Sequence, residues 1–118
     1  MKLTPKELAL KIAEIVNEKK AEEIKVLEIK GLTSIGDYFV ICSGTSSTHI
    51  KALCDLIKEK LGEDGIYPLH NEGYASANWL LMDYGEVVVH IFDRESLKFY
   101  DLERLWRDAP LLDMSHLK

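Results

Sequence analysis

The chain has 118 residues, of which 47% are hydrophobic and 30% are charged, and its formal net charge at pH 7 is −5. This length and composition indicate one globular domain and exclude an intrinsically disordered chain. The acidic balance disfavours direct binding to DNA or RNA phosphates, and the lack of a signal-peptide pattern or of an apolar run of roughly 18 residues favours a cytoplasmic protein without a membrane span.

The first two predicted elements are a helix and a strand. Thr4-Pro5-Lys6-Glu7 has the pattern of a capping box with proline in the first turn, and the apolar stripe that follows predicts a helix to about Lys20. Alternating β-branched residues between Ile24 and Ile29 then predict a strand with one solvent-facing side.

A buried strand and a second helix follow. The nearly continuous apolar run from Asp37 to Cys42 is typical of a central strand covered on both faces. The hydroxyl-rich segment from Ser43 to Thr48 supplies caps for a helix that we expect to end at Gly62. Its predicted core positions follow helical spacing and are Ile50, Leu53, Cys54, Ile57 and Leu61.

After a Pro-interrupted edge strand predicted at residues 66–70, residues 78–93 read as a β-hairpin that reverses around Gly85. In a two-residue loop, even positions on one strand share a face with odd positions on the other. The predicted core face contains Leu80, Met82, Tyr84, Val87, Val89 and Ile91. The opposite face, here called the mixed face, contains Trp79, Leu81, Asp83, Val88, His90 and Phe92.

A last helix is predicted with Asp93 or Asp101 as its cap and with Leu102, Leu105 and Trp106 on its apolar side. We therefore expect one domain at residues 1–110 and a C-terminal tail at 111–118. The order of elements predicts an α/β fold in which helices flank a mixed β-sheet of about five strands.

Motifs for catalysis or metal binding are missing. Cys42 and Cys54 have neither zinc spacing nor a disulfide framework, so we expect two reduced core residues. The four histidines lack metal-ligand spacing, and the segment from Ser43 to Thr48 lacks both a P-loop and a GxSxG frame. No aspartate pair stands in an Asp-x-Asp or Asp-x-Glu frame on a predicted strand. The residues therefore predict no catalytic site, metal or cofactor.

The mixed face is the candidate binding surface, with two interpretations open for its main residues. Trp79 is either a peripheral core residue or an interface hot spot, and Asp83 either bonds to turn amides or contacts a partner. The loop at residues 72–76 adds an acidic, aromatic rim. The acidic charge of the chain favours a basic protein as that partner.

Four segments, in order, resemble one family. They are GDYFVICSGTSS at residues 36–47, EGY at 72–74 with Trp79 after it, DYGEVVVH at 83–90 and FYDLERLW at 99–106. Together they closely match the ribosomal silencing factor family, also called the Iojap family, and the match runs from about Leu3 to Pro110.

The resemblance implies a nucleotidyltransferase-like fold without catalytic carboxylates and a function that is not enzymatic. Members of this family bind large-subunit ribosomal protein fourteen on the surface that meets the small subunit. They thereby block subunit joining and repress translation when nutrients are scarce, and they tend to form homodimers when free.

By position, the contact residue of the family's fourth strand corresponds to Trp79, and Leu81 and Asp83 follow on the same face. Glu72, Tyr74, Ser76 and His90 are further predicted partner contacts from the adjoining loop and the opposed strand. Two alternatives stay open: a diverged nucleotidyltransferase-like enzyme that holds a nucleotide with the serines and threonines after Cys42, and a module whose mixed face pairs only with a second copy.

Overall fold

The computed structural model describes residues 3–32, 36–99 and 109–112. Their elements are α1 Pro5–Glu18, β1 Glu22–Glu28, β2 Tyr38–Gly44, α2 Ser47–Glu63, β3 His70–Glu72, β4 Trp79–Asp83, β5 Val87–Asp93 and α3 Arg94–Phe99. The strands form one sheet in the order β1-β2-β5-β4-β3, in which β2 and β5 are parallel and all other neighbours are antiparallel. The predicted fold class, a mixed five-stranded sheet with flanking helices, is confirmed.

The two long helices begin at side-chain caps. Thr4 Oγ1 accepts from the Glu7 amide at 3.1 Å, and the Thr4 amide donates to Glu7 Oε1 at 2.8 Å, so the predicted capping box is present. Ser46 Oγ accepts from the His49 amide at 3.1 Å and caps α2. These bonds satisfy amide groups that have no partner inside the helix.

The main core lies between the sheet and the helices α1 and α2. All five predicted core positions of α2 are buried there. They pack with residues from the predicted core face of the hairpin, namely Leu80, Met82, Val87, Val89 and Ile91. Cys42 and Cys54 are free and buried in the same core, and burial raises the pKa of the Cys42 thiol to about 12. Both cysteines therefore act as small apolar side chains.

Helix α1 ends at Glu18 with Lys19 as its C-cap, in agreement with the end predicted near Lys20, and Lys20 itself has a φ of 63°. Two other predicted boundaries are wrong. Gly62 lies inside α2, and the left-handed conformation is taken instead by Gly65, with a φ of 76°. The edge strand comprises His70–Glu72 and not residues 66–70, since Pro68 has no amide hydrogen to donate to a ladder.

A second, smaller core covers part of the opposite face of the sheet. It contains Leu27, Ile29, Phe39, Ile41, Val88, Phe92 and Ala109. Residues 109–112 run along β1, where the Glu28 amide donates to Pro110 O at 2.9 Å and the Leu112 amide donates to Val26 O at 3.0 Å. The first residues of the predicted tail thus pair with the sheet, while a domain boundary at residue 110 stays a prediction.

The short helix α3 starts directly after β5. Asp93 Oδ1 accepts from the Ser96 amide at 2.6 Å, so Asp93 is a cap, as one of the two predicted possibilities had it. Arg94 then donates two hydrogen bonds, of 2.7 and 2.8 Å, to the Glu22 carboxylate at the start of β1. The predicted helical residues Asp101, Leu102, Leu105 and Trp106 lie outside the described residues.

Candidate functional site

The hairpin of β4 and β5 places the candidate site residues. Its loop is Gly85-Glu86, with Gly85 at a φ of 92°, and the Tyr84 amide donates to Val87 O at 2.9 Å. Trp79 pairs with Phe92, Leu81 with His90, and Asp83 with Val88. Each pair joins an odd position on one strand to an even position on the other, which confirms the predicted register. The mixed face lies on the side of the sheet opposite α1 and α2.

The mixed face continues onto the neighbouring strands. Cross-strand pairing places Glu72, Leu81, His90 and Ile41 in one row across β3, β4, β5 and β2. Directly opposed residues share a face, so the acidic Glu72 lies at the sheet edge and the apolar side chains lie towards the centre.

Burial divides the mixed face into two parts. On β5, Val88, His90 and Phe92 are buried, and Val88 and Phe92 belong to the smaller core. On β4, Trp79 is 36% exposed and Leu81 is half-buried. The expectation that this face is too polar for a dry interior thus holds for its β4 residues but not for its β5 residues.

Trp79 packs on an aromatic cluster formed by Phe92, His90 and Phe39. The indole stacks on Phe92 at 5.4 Å between ring centroids, and Phe39 meets the His90 ring edge-on at 4.5 Å. Trp79 Nε1–H donates to His90 Nδ1 at 3.1 Å. Burial lowers the pKa of His90 to about 4, so this imidazole is neutral at physiological pH. Trp79 is therefore both packed against the core and accessible, and the two interpretations of it are compatible.

Asp83 and Glu72 form the acidic edge of the mixed face. Asp83 Oδ1 accepts from the Gly85 amide at 2.7 Å, so the turn-capping interpretation of Asp83 is correct. Asp83 still lies on the mixed face, opposite His70 on β3. His70 Nε2 is 3.4 Å from Glu72 Oε1, and both side chains are exposed.

The structure separates Tyr74 from the mixed face. Its hydroxyl donates to the Asp55 carboxylate on α2, with oxygen distances of 3.1 and 3.2 Å, and the ammonium groups of Lys51 and Lys58 lie 5.5 and 5.7 Å from its ring centroid. Tyr74 therefore lies on the helix side of the sheet. Ser76 Oγ donates to Gly73 O at 3.4 Å, within the loop between β3 and β4.

Gly73 allows this loop to pass close to Trp79. It has a φ of 82°, and a Cβ at this position would lie 2.1 Å from Trp79 O. Gly73→Ala should therefore lower the free energy of unfolding by about 2 kcal/mol, because it adds left-handed strain and a backbone overlap. Urea denaturation measures this change.

Gly31→Ala is the matched control for that variant. Gly31 has a similar φ of 86°, but a Cβ there would meet no described atom within 4 Å. Gly31→Ala therefore introduces the left-handed strain alone, which should lower the free energy of unfolding by roughly 1 kcal/mol. Equal losses in the two alanine variants would contradict a special role for Gly73 beside Trp79.

The hydroxyl-rich segment after Cys42 serves mainly as a structural connection. Beyond the Ser46 cap, the Thr45 amide donates to His49 Nδ1 at 2.9 Å, and His49 Nε2 donates to Lys19 O at 2.7 Å. His49 thereby ties the start of α2 to the end of α1. Among the described residues, no cluster of three His, Cys, Asp or Glu side chains could hold a metal ion, and no helix there is long and apolar enough to cross a bilayer.

A family model and two curated relatives point to the same family. The family model described as "Ribosomal silencing factor during starvation" matches residues 2–118. The chain is 42% identical over 106 residues to the ribosomal silencing factor of Bacillus subtilis, covering 89% of this chain and 90% of that protein. It is 41% identical over 99 residues to that of Halalkalibacterium halodurans, with coverages of 84% and 85%.

A solved structure supports the same relationship. The crystal structure of a protein from Chromobacterium violaceum is similar with a TM-score of 0.84 at 31% sequence identity, covering 89% of this chain and 88% of that one. The family model spans nearly the whole sequence, and both named relatives are matched over most of their length. The chain therefore belongs to the ribosomal silencing factor family.

Proposed function

We propose that this protein binds ribosomal protein fourteen of the large ribosomal subunit through its mixed face. Docking there would prevent the small subunit from joining and so repress translation when nutrients are limiting. The observation that carries this proposal is the accessible Trp79, 36% exposed, which is stacked on a buried aromatic cluster beside the acidic edge formed by Asp83 and Glu72.

The aromatic part of this surface suits a protein interface. Large rigid side chains such as tryptophan bury much area at a small entropic cost, and they dominate binding where neighbouring groups exclude water. Leu81 follows Trp79 on the same face of β4 and is half-buried, so it extends the apolar contact along β4 towards Asp83.

The acidic part of the surface suits a basic partner. Glu72 lies on the edge strand β3 and the turn carboxylate of Asp83 lies at the end of β4, both beside the apolar contact, and the whole chain carries a formal charge of −5. Such a field attracts a positively charged protein surface and repels RNA phosphates. We therefore propose contacts to ribosomal protein rather than to ribosomal RNA.

Steric occlusion requires binding and no chemistry, so we propose a cytoplasmic repressor that is not an enzyme. The alternative enzyme would use the hydroxyl-rich start of α2 to hold a nucleotide. Ser46 and the Thr45 amide are already engaged in hydrogen bonds within the fold, which favours the structural interpretation. Calorimetry with ATP and magnesium tests the enzyme hypothesis, and a measurable heat of binding would support it.

The free protein is proposed to be a homodimer, since the same mixed face could pair with a second copy. Light scattering of wild type and Trp79→Ala tests which surface is used. A dimer that persists in the variant would show that Trp79 is not an essential dimer contact. A monomeric variant would indicate that self-association and ribosome docking use overlapping surfaces.

The experiment that tests the main proposal is co-sedimentation of the purified protein with isolated large subunits, small subunits and assembled ribosomes. We expect binding to large subunits alone, together with fewer assembled ribosomes when the protein is added before the subunits are mixed. Binding to small subunits, or to none of the three, would contradict the proposal.

A further inference from the structure

We infer that His90 is a positioning residue that fixes the orientation of the Trp79 indole for docking, rather than a residue that contacts the partner. This inference rests on the proposed function of the mixed face. It assigns His90 a role different from the partner contact expected from the sequence. The supporting observations are the burial of His90 and its hydrogen bond to Trp79, both within one folded chain.

His90 is too deeply buried to reach a partner directly. It is 5% exposed, and its ring is held between neighbours on both sides. Phe39 packs against it at 4.5 Å with an interplanar angle of 61°, and Phe92 lies nearly parallel at 6.2 Å and 8°. The imidazole therefore has little freedom to rotate, and its Nδ1 atom offers a fixed acceptor.

The hydrogen bond to Trp79 also determines the tautomer of His90. Indole Nε1–H is a donor only, so Nδ1 must be the acceptor and the imidazole proton lies on Nε2. An imidazolium would present a donor on both nitrogens and could not accept this bond. The low pKa caused by burial keeps the accepting form populated at physiological pH.

A buried histidine at this position lowers the stability of the fold. His90 Nε2 has no hydrogen-bond partner among the described residues, and an unpaired buried donor destabilises the fold. Leucine or phenylalanine would fill the site between Phe39 and Phe92 without that cost. A histidine at this position supplies an acceptor, Nδ1, which holds the Trp79 indole in one orientation on the mixed face.

Orientation matters because the exposed edge of the indole is the proposed anchor. A side chain that is already fixed in its bound conformation loses less entropy on association. Phe92 supports the indole from one side by stacking, but stacking alone still permits changes in the χ1 and χ2 torsions that slide the indole across the Phe92 ring. The hydrogen bond to Nδ1 removes that freedom.

A matched pair of variants, His90→Asn and His90→Leu, tests the inference. Asparagine places an acceptor oxygen near the position of Nδ1, whereas leucine has a similar size but no acceptor. In the free protein, NMR should show the Trp79 indole N–H resonance shifted and its hydrogen exchange accelerated in His90→Leu, with wild-type behaviour largely retained in His90→Asn. Trp79→Phe assigns the resonance by its disappearance.

Binding to isolated large subunits is the second measurement. His90→Leu should bind about 3- to 10-fold more weakly than wild type, the effect of losing one hydrogen bond, and His90→Asn should recover most of that loss. Equal affinities of wild type and His90→Leu would overturn the inference. Equal weakening in both variants would also overturn it, because that pattern indicates general damage to the core.

Two controls separate this inference from the proposed function. If Trp79→Ala binds large subunits normally, the proposed function fails, while the indole resonance still decides whether His90 orients Trp79. If His90→Leu does not fold, the nitrogen spectrum of His90 in wild type decides instead. A proton on Nε2 with an accepting Nδ1 supports the inference, and a proton on Nδ1 overturns it.

Discussion

Trp79→Ala should weaken binding to isolated large subunits by about 2 to 4 kcal/mol, or roughly 30- to 1000-fold in the dissociation constant. The substitution removes the exposed part of the indole, which is the largest accessible apolar group on the mixed face near the acidic edge. It also removes the surface that stacks on Phe92 and the donor to His90. Quantitative co-sedimentation at fixed ionic strength measures the change.

Tyr67→Ala is the control for losing an exposed aromatic side chain. Tyr67 is 69% exposed and lies between α2 and β3, outside the mixed face, so its removal should leave the affinity unchanged. Thermal unfolding of both variants checks that the fold is intact. Normal binding by folded Trp79→Ala would contradict the proposed docking surface, and so would equal weakening in the two variants.

The two faces of the hairpin could be predicted from the sequence. Side chains alternate along a strand, so once the loop is fixed at Gly85-Glu86 every residue of β4 and β5 is assigned to a face. The core positions of α2 were predictable as well, because a helix that packs on one side repeats its apolar residues every three or four positions. Both patterns are local, and both are confirmed.

Burial across strands was less predictable, because it depends on partners distant in sequence. His90 has a polar side chain and was expected in a partly wet surface, yet Phe39 on β2 covers it. The hydrogen bond between His90 and Trp79 could nevertheless have been predicted from the sequence. The two residues are diagonal neighbours on one face of an antiparallel pair, which is close enough for large side chains to meet.

Loop residues were the least predictable. Tyr74 stands near Trp79 in the sequence, but its hydroxyl is bonded to Asp55 and its side chain lies on α2, on the other side of the sheet. No periodicity constrains a loop, so nothing in the sequence between β3 and β4 assigns Tyr74 to a face. We therefore expect Tyr74→Ala to affect large-subunit binding far less than Trp79→Ala.

Acid should destabilise the wild-type protein through His90. Its pKa is lowered by burial from 6.5 to about 4. Between those values the unfolded chain binds the proton more readily than the folded chain does. The stability that depends on the neutral ring is therefore complete above pH 6.5 and is lost as the pH falls towards 4. The shift corresponds to about 3 kcal/mol at most.

Burial rather than a charged neighbour is the cause of this shift. In the cross-strand row of His90, the charged side chains Glu72 and Lys25 are separated from it by Leu81 and Ile41. Asp83 lies in the next row and is bonded to the turn. The pH dependence should therefore change little with added salt, since salt screens interactions between exposed charges far more than it changes burial.

His90→Asn isolates this contribution, because it removes the titrating ring and retains an acceptor for the indole. Other groups also respond to acid in the same direction: the bond from Arg94 lowers the pKa of Glu22, so protonation of that carboxylate is destabilising too. Urea denaturation of both proteins between pH 7 and pH 4 cancels such shared effects. The stability of wild type relative to the variant should fall as the pH is lowered from about 6.5 to 4. A constant difference across that range would show that His90 is not held neutral by burial, and the orientation of Trp79 would then need another explanation.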